Sequence, residues 1–277
     1  MKTNIKDLKK TGQFRLAYPR TLREAVLSAA KSWEAFTKLS PKIKQSLPYS
    51  NGGAGVGYEL KNGAVISADH KENFDITIQG YQWLIDNYKN ISNSKALRFI
   101  EDSTALVYLI KPIAMDFARR VEAEFGLEGF AKEVEESESR YFIRFIHYFS
   151  DCPPGTETAQ AHVDQSGFTL HLFESDLGLQ YLPYIKRKWA DMPVSKGDTV
   201  IIPAMQMQLR SKGELRALAH RVVSTEKTAK TGRYSAVCFI QLKNTPKYDK
   251  DRCGRLQEKE PGFNYSMPHQ EFATMFK

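Results

Sequence analysis

Apolar residues recur at helical spacing in the first part of the chain. Residues 21–47 place them three or four positions apart, which predicts an amphipathic helix with one face against a core. These positions are Leu22, Val26, Ala29, Trp33 and Phe36. Pro41 after Ser40 predicts that a second short helix or turn starts there, because proline suits the first helical position.

A second helical pattern covers residues 94–126. Ser94 is the predicted N-cap, and apolar positions again supply faces for packing. They are Leu97, Phe99, Leu106, Leu109, Ile113, Phe117, Val121 and Phe125. Pro112 is predicted to kink or divide this helix, because proline removes a backbone hydrogen bond from a helix interior. We interpret the whole segment as scaffold behind a sheet.

Beyond Glu138 the pattern changes to short apolar runs separated by glycine, proline and polar turns. The predicted strands are residues 141–149, a strand carrying His162 and Asp164, and residues 168–173, 179–182, 199–203, 219–224 and 233–242. Six to eight short strands at this spacing predict a sandwich or jelly roll. Earlier in the chain, four glycines within residues 51–58 predict a mobile loop, because no Lys-Ser/Thr follows them to make a phosphate site.

Composition places these elements in one globular domain. The chain has 277 residues, 42% hydrophobic and 26% charged, so it can bury a substantial core. We predict a helix-rich part (1–138), a catalytic jelly-roll core (139–245) and a tail packing on the core (246–277). No apolar run reaches the roughly 18–20 residues that cross a bilayer, and the first residues carry no apolar leader. We therefore expect a cytoplasmic monomer with no membrane partner.

Charge and cysteine content argue against a nucleic-acid-binding surface and against a secreted disulfide framework. The net charge of +8 comes from lysines spread along the whole chain, without a basic stripe interleaved with aromatic residues. This distribution indicates a basic surface rather than a nucleic-acid partner. Cys152, Cys238 and Cys253 match no zinc or disulfide spacing, so we predict free thiols, with Cys238 buried in a strand.

One pair of residues suggests a metal-binding site. His162 and Asp164 are two positions apart, and side chains two apart in an extended strand project from the same face. His220 supplies a second imidazole that could close the site. Two histidines and one carboxylate on one side of a metal, with the opposite positions open, are the ligands of non-haem Fe(II) oxygenases. We predict an Fe(II) site made of these three residues.

A later strand adds a place for an anion. Arg233 and Ser235 share a strand face, so a guanidinium and a hydroxyl can reach one acceptor, and Tyr148 could donate a third hydrogen bond. A 2-oxo acid can chelate iron through two oxygens. If it is a dicarboxylate, its far carboxylate needs a cation, and the planar fork of arginine pairs with both oxygens.

These residues resemble an ordered family signature. His162-Val-Asp164, His220-Arg-Val and Arg233-Tyr-Ser235 are similar to the motifs of the Fe(II)/2-oxoglutarate dioxygenases of the isopenicillin N synthase-like superfamily. Supporting matches are Gly178-Leu-Gln180, Trp189 and Gly197-Asp198, with weaker ones at residues 33–39, 57–58 and 71–75. The resemblance implies an α+β fold with a mainly β core, namely a double-stranded β-helix (jelly roll) flanked by helices mostly from the N-terminal half.

The resemblance also implies roles. His162, Asp164 and His220 would bind Fe(II), and Arg233, Ser235 and Tyr148 would hold 2-oxoglutarate, with O₂ as the other co-substrate. Tyr148 matches the second tyrosine of the family's Asn-Tyr-Tyr-Pro strand, whose first two residues are Ile146 and His147 here. Candidate substrate residues are Tyr58, Phe74, Asp75 and Arg144, the last of which could instead form a structural ion pair. His147 and His171 are interpreted as ordinary strand residues.

The implied reaction is hydroxylation of an unactivated C–H bond of a small molecule, an amino acid or a natural product, with release of succinate and CO₂. Desaturation and ring closure stay open, whereas halogenation is disfavoured because Asp164 keeps its carboxylate. A 2-oxoglutarate-independent Fe(II) oxidase or cyclase and a catalytically silent binding module on the same fold are the alternatives. A nucleic-acid demethylase is disfavoured, because that branch carries a second arginine where this chain has Phe239.

Overall fold

Two antiparallel sheets form the body of the protein. The computed structural model describes residues 4–50, 55–61, 70–87, 91–184, 188–193 and 197–244. Its strands are β1 (Phe14–Ala17), β2 (Gly57–Lys61), β3 (Lys71–Thr77), β4 (Tyr141–Tyr148), β5 (Glu157–His162), β6 (Phe168–Glu174), β7 (Leu179–Tyr181), β8 (Ala190–Asp191), β9 (Asp198–Pro203), β10 (His220–Val223) and β11 (Arg233–Ile240). They pair in the orders β1-β9-β6-β11-β4-β3-β2 and β5-β10-β7-β8. Two antiparallel sheets with flanking helices confirm the predicted jelly-roll core.

Helices from the N-terminal half cover the larger sheet. They are α1 (Leu8–Thr11), α2 (Arg20–Thr37), α3 (Pro41–Gln45), α4 (Ile78–Asn87), α5 (Ser94–Phe125) and α6 (Phe130–Glu136), followed later by α7 (Met205–Arg210) and α8 (Thr228–Thr231). Helices α2 and α5 pack on each other, and aromatic rings join them to the sheet. Trp33 lies 5.1 Å from Phe99 and 6.1 Å from Phe145 between ring centroids. The predicted apolar face of α2 is therefore the face that is buried.

Helix α5 corrects one prediction. It runs for 32 residues as a single helix with Pro112 inside it, so the prediction that Pro112 divides it is wrong. Ile110, Ile113 and Ala114 around the proline are buried in the core, and this packing offsets the lost backbone hydrogen bond. The N-cap is Asn93 rather than Ser94, because the Asn93 side chain accepts hydrogen bonds from the next backbone amides.

Strand ends differ from the sequence prediction where the site is formed. Strand β5 ends at His162, so Asp164 lies in the loop that follows rather than in the same strand. Strand β6 continues to Glu174, beyond the predicted end at Phe173. Strand β1, strand β8 and helix α7 were not predicted, because they are short and are formed through tertiary contacts.

Several sequence predictions concern residues outside the described part of the chain. The tail (246–277), Cys253 and the first half of the glycine-rich segment (51–54) belong there. Cys152 and Cys238 are buried free thiols, as predicted. Among the described residues, every helix is too short or too polar to cross a membrane.

Candidate metal centre

Three side chains converge at the open edge of the smaller sheet. His162 at the end of β5 lies directly opposite His220 at the start of β10, with ring centroids 4.4 Å apart. The Asp164 carboxylate lies 3.7 Å from His162 Nε2 and 3.8 Å from His220 Nε2. One ligand atom from each residue lies within 4.8 Å of the other two. These separations exceed hydrogen-bond length and leave room for a cation between the three donors.

Backbone carbonyls orient both imidazoles. His162 Nδ1 is 2.6 Å from the carbonyl oxygen of Gln160, and His220 Nδ1 is 3.1 Å from that of Leu218. A carbonyl only accepts, so each Nδ1 carries a proton and Nε2 is the ring nitrogen that faces the shared centre. Metal-binding histidines are typically fixed by a second contact of this kind.

Asp164 is buried and held by one further bond. The Thr169 hydroxyl donates to Asp164 Oδ2 at 2.6 Å. Burial alone would raise the pKa of Asp164, but the nearby His220 and His162 and the Thr169 hydrogen bond lower it below its ordinary value. Burial lowers the pKa of His220 to about 4, partly opposed by Asp164. A carboxylate and a neutral imidazole are the protonation states that bind a metal.

Two cavities meet at these ligands. The larger, about 430 Å³, opens to solvent and is lined by Lys61, Lys71, Phe142, Arg144, Phe239 and the His162–Ser166 segment. The smaller, about 90 Å³, lies deeper between the sheets. It is lined by the three ligands and by residues that include Tyr148, His171, Glu174, Arg233 and Ser235.

The predicted anion-binding residues lie together in the small cavity. Arg233 pairs with Tyr148 across β11 and β4, and its guanidinium lies 5.7 Å from the centre of the tyrosine ring. Arg233 is buried, and its guanidinium forms an ion pair with the Glu174 carboxylate. Ser235 lies opposite Glu174 in the strand pairing, and its hydroxyl helps to lower the pKa of that carboxyl. Of the three residues assigned to the co-substrate, Arg233 and Ser235 therefore already face a carboxylate of the chain.

A bulge in β6 brings Glu174 into this cavity. Along β11, Ala236 pairs with Phe173 but Val237 pairs with His171, so Leu172 is an extra residue. A bulge shifts the alternation of faces, and it places Glu174 on the same face as His171. Their contact, His171 Nδ1 to Glu174 Oε1, measures 3.1 Å. His171 is thus a cavity residue rather than the ordinary strand residue we predicted.

The candidate substrate residues separate into two groups. Arg144 lines both cavities and donates to the two Asp75 oxygens at 2.8 and 2.7 Å. Tyr58 and Phe74 lie elsewhere, in the core beside Phe36. The Tyr58 hydroxyl donates to Glu72 at 2.7 Å. The structure does not bring Tyr58 or Phe74 to the lining of either cavity.

Sequence reasoning missed Thr169, His171 and Glu174. Thr169 could have been suspected, since a hydroxyl five residues after a ligand carboxylate can fold back on it. An acidic residue after the apolar run of β6 was the signal for Glu174, but simple alternation places it on the opposite face from His171. His147 makes a 2.8 Å contact to Glu72 and stacks on Tyr234, away from the triad.

The cavity residues fit Fe(II) as they stand but fit 2-oxoglutarate only after a rearrangement. Two imidazoles and a carboxylate with a gap between them fit Fe(II). The chelating end of 2-oxoglutarate would lie beside them. Its far carboxylate would meet Arg233 and Ser235, and it fits there only when Glu174 leaves them.

Comparison with known proteins agrees with this geometry. Residues 140–242 match the family model of the 2OG-Fe(II) oxygenase superfamily. No curated protein matches the chain. Solved structures share the fold: a full-length Neurospora crassa protein in complex with alpha-KG and thymine is 16% identical, with a TM-score of 0.71, and the match covers 99% of this chain and 90% of that one.

Plant proteins show the same likeness. The dioxygenase for auxin oxidation 1 of Arabidopsis thaliana, in a 2-oxoglutarate complex, is 18% identical with a TM-score of 0.71, and 87% of each chain is covered. Its rice counterpart is 18% identical with a TM-score of 0.65, over 86% of this chain and 76% of that chain. The segment matched by the family model contains all three candidate metal ligands.

Proposed function

We propose that the protein is an Fe(II)- and 2-oxoglutarate-dependent dioxygenase that hydroxylates a C–H bond of a small molecule. The match of residues 140–242 to the family model of the 2OG-Fe(II) oxygenase superfamily supports this proposal. Fe(II) held by His162, Asp164 and His220 would supply O₂ activation, with 2-oxoglutarate oxidised to succinate and CO₂. The surroundings lower the pKa of His220 and of Asp164, which favours a neutral imidazole and an ionised carboxylate, and the larger cavity leaves the triad accessible from solvent.

The observation that carries this proposal is the position of the triad at the junction of two cavities. The larger cavity, about 430 Å³, is within the size range of small-molecule sites and reaches the ligands from solvent. The smaller one lies behind them. Substrate and co-substrate can therefore approach the same centre from different sides.

The lining of the larger cavity favours a substrate with an anionic group. Lys61, Lys71 and Arg144 contribute cationic side chains near its wall. Phe142 and Phe239 stack with centroids 5.2 Å apart and form an apolar surface beside them. A carboxylate-bearing amino acid or natural product has this combination of charge and apolar surface. Lys61 and Lys71 would attract its anionic group, whereas the Arg144 guanidinium is already paired with both Asp75 oxygens and forms part of the wall.

The test is to measure succinate against product. Purified protein with Fe(II), O₂ and 2-oxoglutarate would be screened against acidic metabolites, with succinate and hydroxylated product quantified together. We expect one succinate for each product molecule. Product formation without added 2-oxoglutarate would contradict the proposal.

A second candidate is an Fe(II) oxidase or cyclase that needs no 2-oxoglutarate. The ion pair between Arg233 and Glu174 favours it, because the cation expected to hold a dicarboxylate already has a partner. The same assay separates the two functions. A silent binding module would give neither succinate nor product, and its iron-loaded form would show no visible absorption band with 2-oxoglutarate.

Other proposals concern the setting of the enzyme. We retain a cytoplasmic location, a monomeric state and the absence of a nucleic-acid partner. Phe239, where a demethylase would carry a second arginine, packs on Phe142 in the cavity wall. Light scattering of the purified protein would test the monomer, and salt-sensitive DNA binding would contradict the last proposal.

A further inference from the structure

The far end of the small cavity is filled by a carboxylate of the protein itself. Glu174 accepts from Arg233 and Ser235 on β11 and from His171 on its own strand. Both partners of the ion pair are buried. Burial alone would raise the pKa of Glu174, but Arg233, His171 and Ser235 lower it below its ordinary value. The group is therefore an ionised carboxylate with three donors.

This arrangement is built into the sheet. The bulge at Leu172 turns Glu174 toward the cavity, and the Tyr18 hydroxyl donates to the Leu172 carbonyl at 2.7 Å. The guanidinium is held on its other side, where Arg233 Nε donates to the carbonyl oxygen of Asp176. Backbone pairing of Ser235 with Glu174 fixes the distance between β6 and β11. Glu174 thus occupies the position that a bound carboxylate ligand would take beside Arg233.

His171 is already engaged with Glu174. Its Nδ1 lies 3.1 Å from a carboxylate oxygen of that residue. The cavity, about 90 Å³, is also smaller than typical ligand sites while Glu174 occupies it.

We propose that Glu174 is a built-in competitor for the far carboxylate of 2-oxoglutarate, and that it determines how strongly the protein selects a dicarboxylate over other 2-oxo acids. The inference rests on the proposed use of 2-oxoglutarate. Two carboxylates cannot share one buried guanidinium without strong repulsion, so the co-substrate must displace Glu174 from Arg233 and Ser235. Binding the far carboxylate then exchanges one ion pair for another.

The test compares two 2-oxo acids of equal chain length, 2-oxoglutarate and 2-oxopentanoate, which ends in a methyl group. Each is titrated anaerobically into Fe(II)-loaded full-length protein, with Kd read from the visible absorption band and from calorimetry. In the wild type we expect the two Kd values to agree within about threefold, since exchanging one ion pair for another gains little. A hundredfold preference of the wild type for 2-oxoglutarate would overturn the inference.

Variants at Glu174 give the second readout. Glu174→Gln removes the charge with little change of shape, and Glu174→Ala removes the competing group. We expect both to bind 2-oxoglutarate at least tenfold more tightly, about 1.4 kcal/mol, with 2-oxopentanoate unchanged. The matched control is Glu157→Gln, which removes a carboxylate that pairs with Arg221 at 2.6 Å outside both cavities. Thermal unfolding checks that each variant is folded.

The outcomes separate this inference from the proposed function. Unchanged or weaker 2-oxoglutarate binding by both Glu174 variants would mean that Glu174 only orients Arg233, and it would overturn the inference while 2-oxoglutarate remains the co-substrate. Loss of binding of both acids by folded, iron-loaded wild type and variants would overturn the proposed function together with the inference. Selective tightening for 2-oxoglutarate supports both.

Discussion

Each end of the small cavity contains a buried carboxylate, and the two carboxylates differ in how closely their partners approach. At the metal end, Asp164 stands 3.7 and 3.8 Å from two imidazole nitrogens, too far for hydrogen bonds. At the far end, Glu174 is in direct contact with Arg233, Ser235 and His171. A gap between donors is a place for a cation, whereas a completed ion pair leaves no charge to satisfy. The metal end can therefore receive a cation directly, whereas Glu174 must leave the far end before another carboxylate can bind there.

The largest effect should come from removing the carboxylate at the metal end. We expect Asp164→Ala to lose stoichiometric iron and to lower turnover by more than about a hundredfold, because even contacts behind a ligand contribute 10–100-fold. Iron content of the purified protein and succinate formation are the measurements. Asp191→Asn, an exposed carboxylate paired with Gln180, is the control and should retain iron. Full iron binding by Asp164→Ala would show that the gap is not the metal site.

The far end should respond through stability. Arg233→Met leaves Glu174 buried without its cation, and we expect a loss of about 3–5 kcal/mol in the free energy of unfolding. Replacing both partners, as Arg233→Met with Glu174→Leu, should recover most of that loss, because a buried ion pair contributes little beyond a well-packed apolar pair. Urea unfolding measures both. A loss below about 1 kcal/mol for the single variant would mean that Glu174 is not held as described.

A smaller effect is expected from the contact behind Asp164. Thr169→Val keeps the shape but removes the 2.6 Å hydrogen bond to Asp164, so the affinity for iron should fall by about 10–100-fold. Competition with a calibrated chelator measures this change. Thr104→Val removes a buried hydroxyl that bonds to the Ile100 carbonyl within α5, and it should leave iron affinity unchanged. Equal losses in the two variants would indicate general destabilisation instead of a role at the metal.

The metal end was predictable from the sequence because it depends on residue types in a recognisable order. His162, Asp164, His220 and the strand starting at Arg233 were identified from spacing and resemblance. The reason given for the first pair was partly wrong, since Asp164 lies beyond the end of β5, but the turn still brings it back to the histidines. The apolar period of α2 was read correctly for the same reason: one face of a regular element meets the core.

The far end depends on an irregularity that no periodic pattern records. Alternation along β6 places His171 and Glu174 on opposite faces, and only the extra residue Leu172 brings them together. That bulge is stabilised by Tyr18, more than 150 positions away in sequence, through a hydrogen bond that exists only in the folded chain. The error at Pro112 is of the opposite kind. The local rule predicted that proline could divide the helix, but tertiary packing keeps α5 continuous.

The smallest predicted effect is a coupling between Ser235 and Glu174. Under the proposed exchange, the Ser235 hydroxyl donates to Glu174 before the co-substrate binds and to the far carboxylate of the co-substrate afterwards. Removing it as Ser235→Ala therefore costs both states a similar amount, and the Kd for 2-oxoglutarate should change by less than about threefold.

In the Glu174→Ala background the same substitution should matter more. The hydroxyl then lacks its carboxylate before binding and gains one only from the co-substrate, so its removal should weaken binding about tenfold, as expected for a hydrogen bond to a charged group. The difference between the two backgrounds is a double-mutant cycle that isolates the competition from packing effects. If Ser235→Ala costs tenfold in both backgrounds, Glu174 does not occupy the place of the far carboxylate, and the two ends of the cavity are equally open to their ligands.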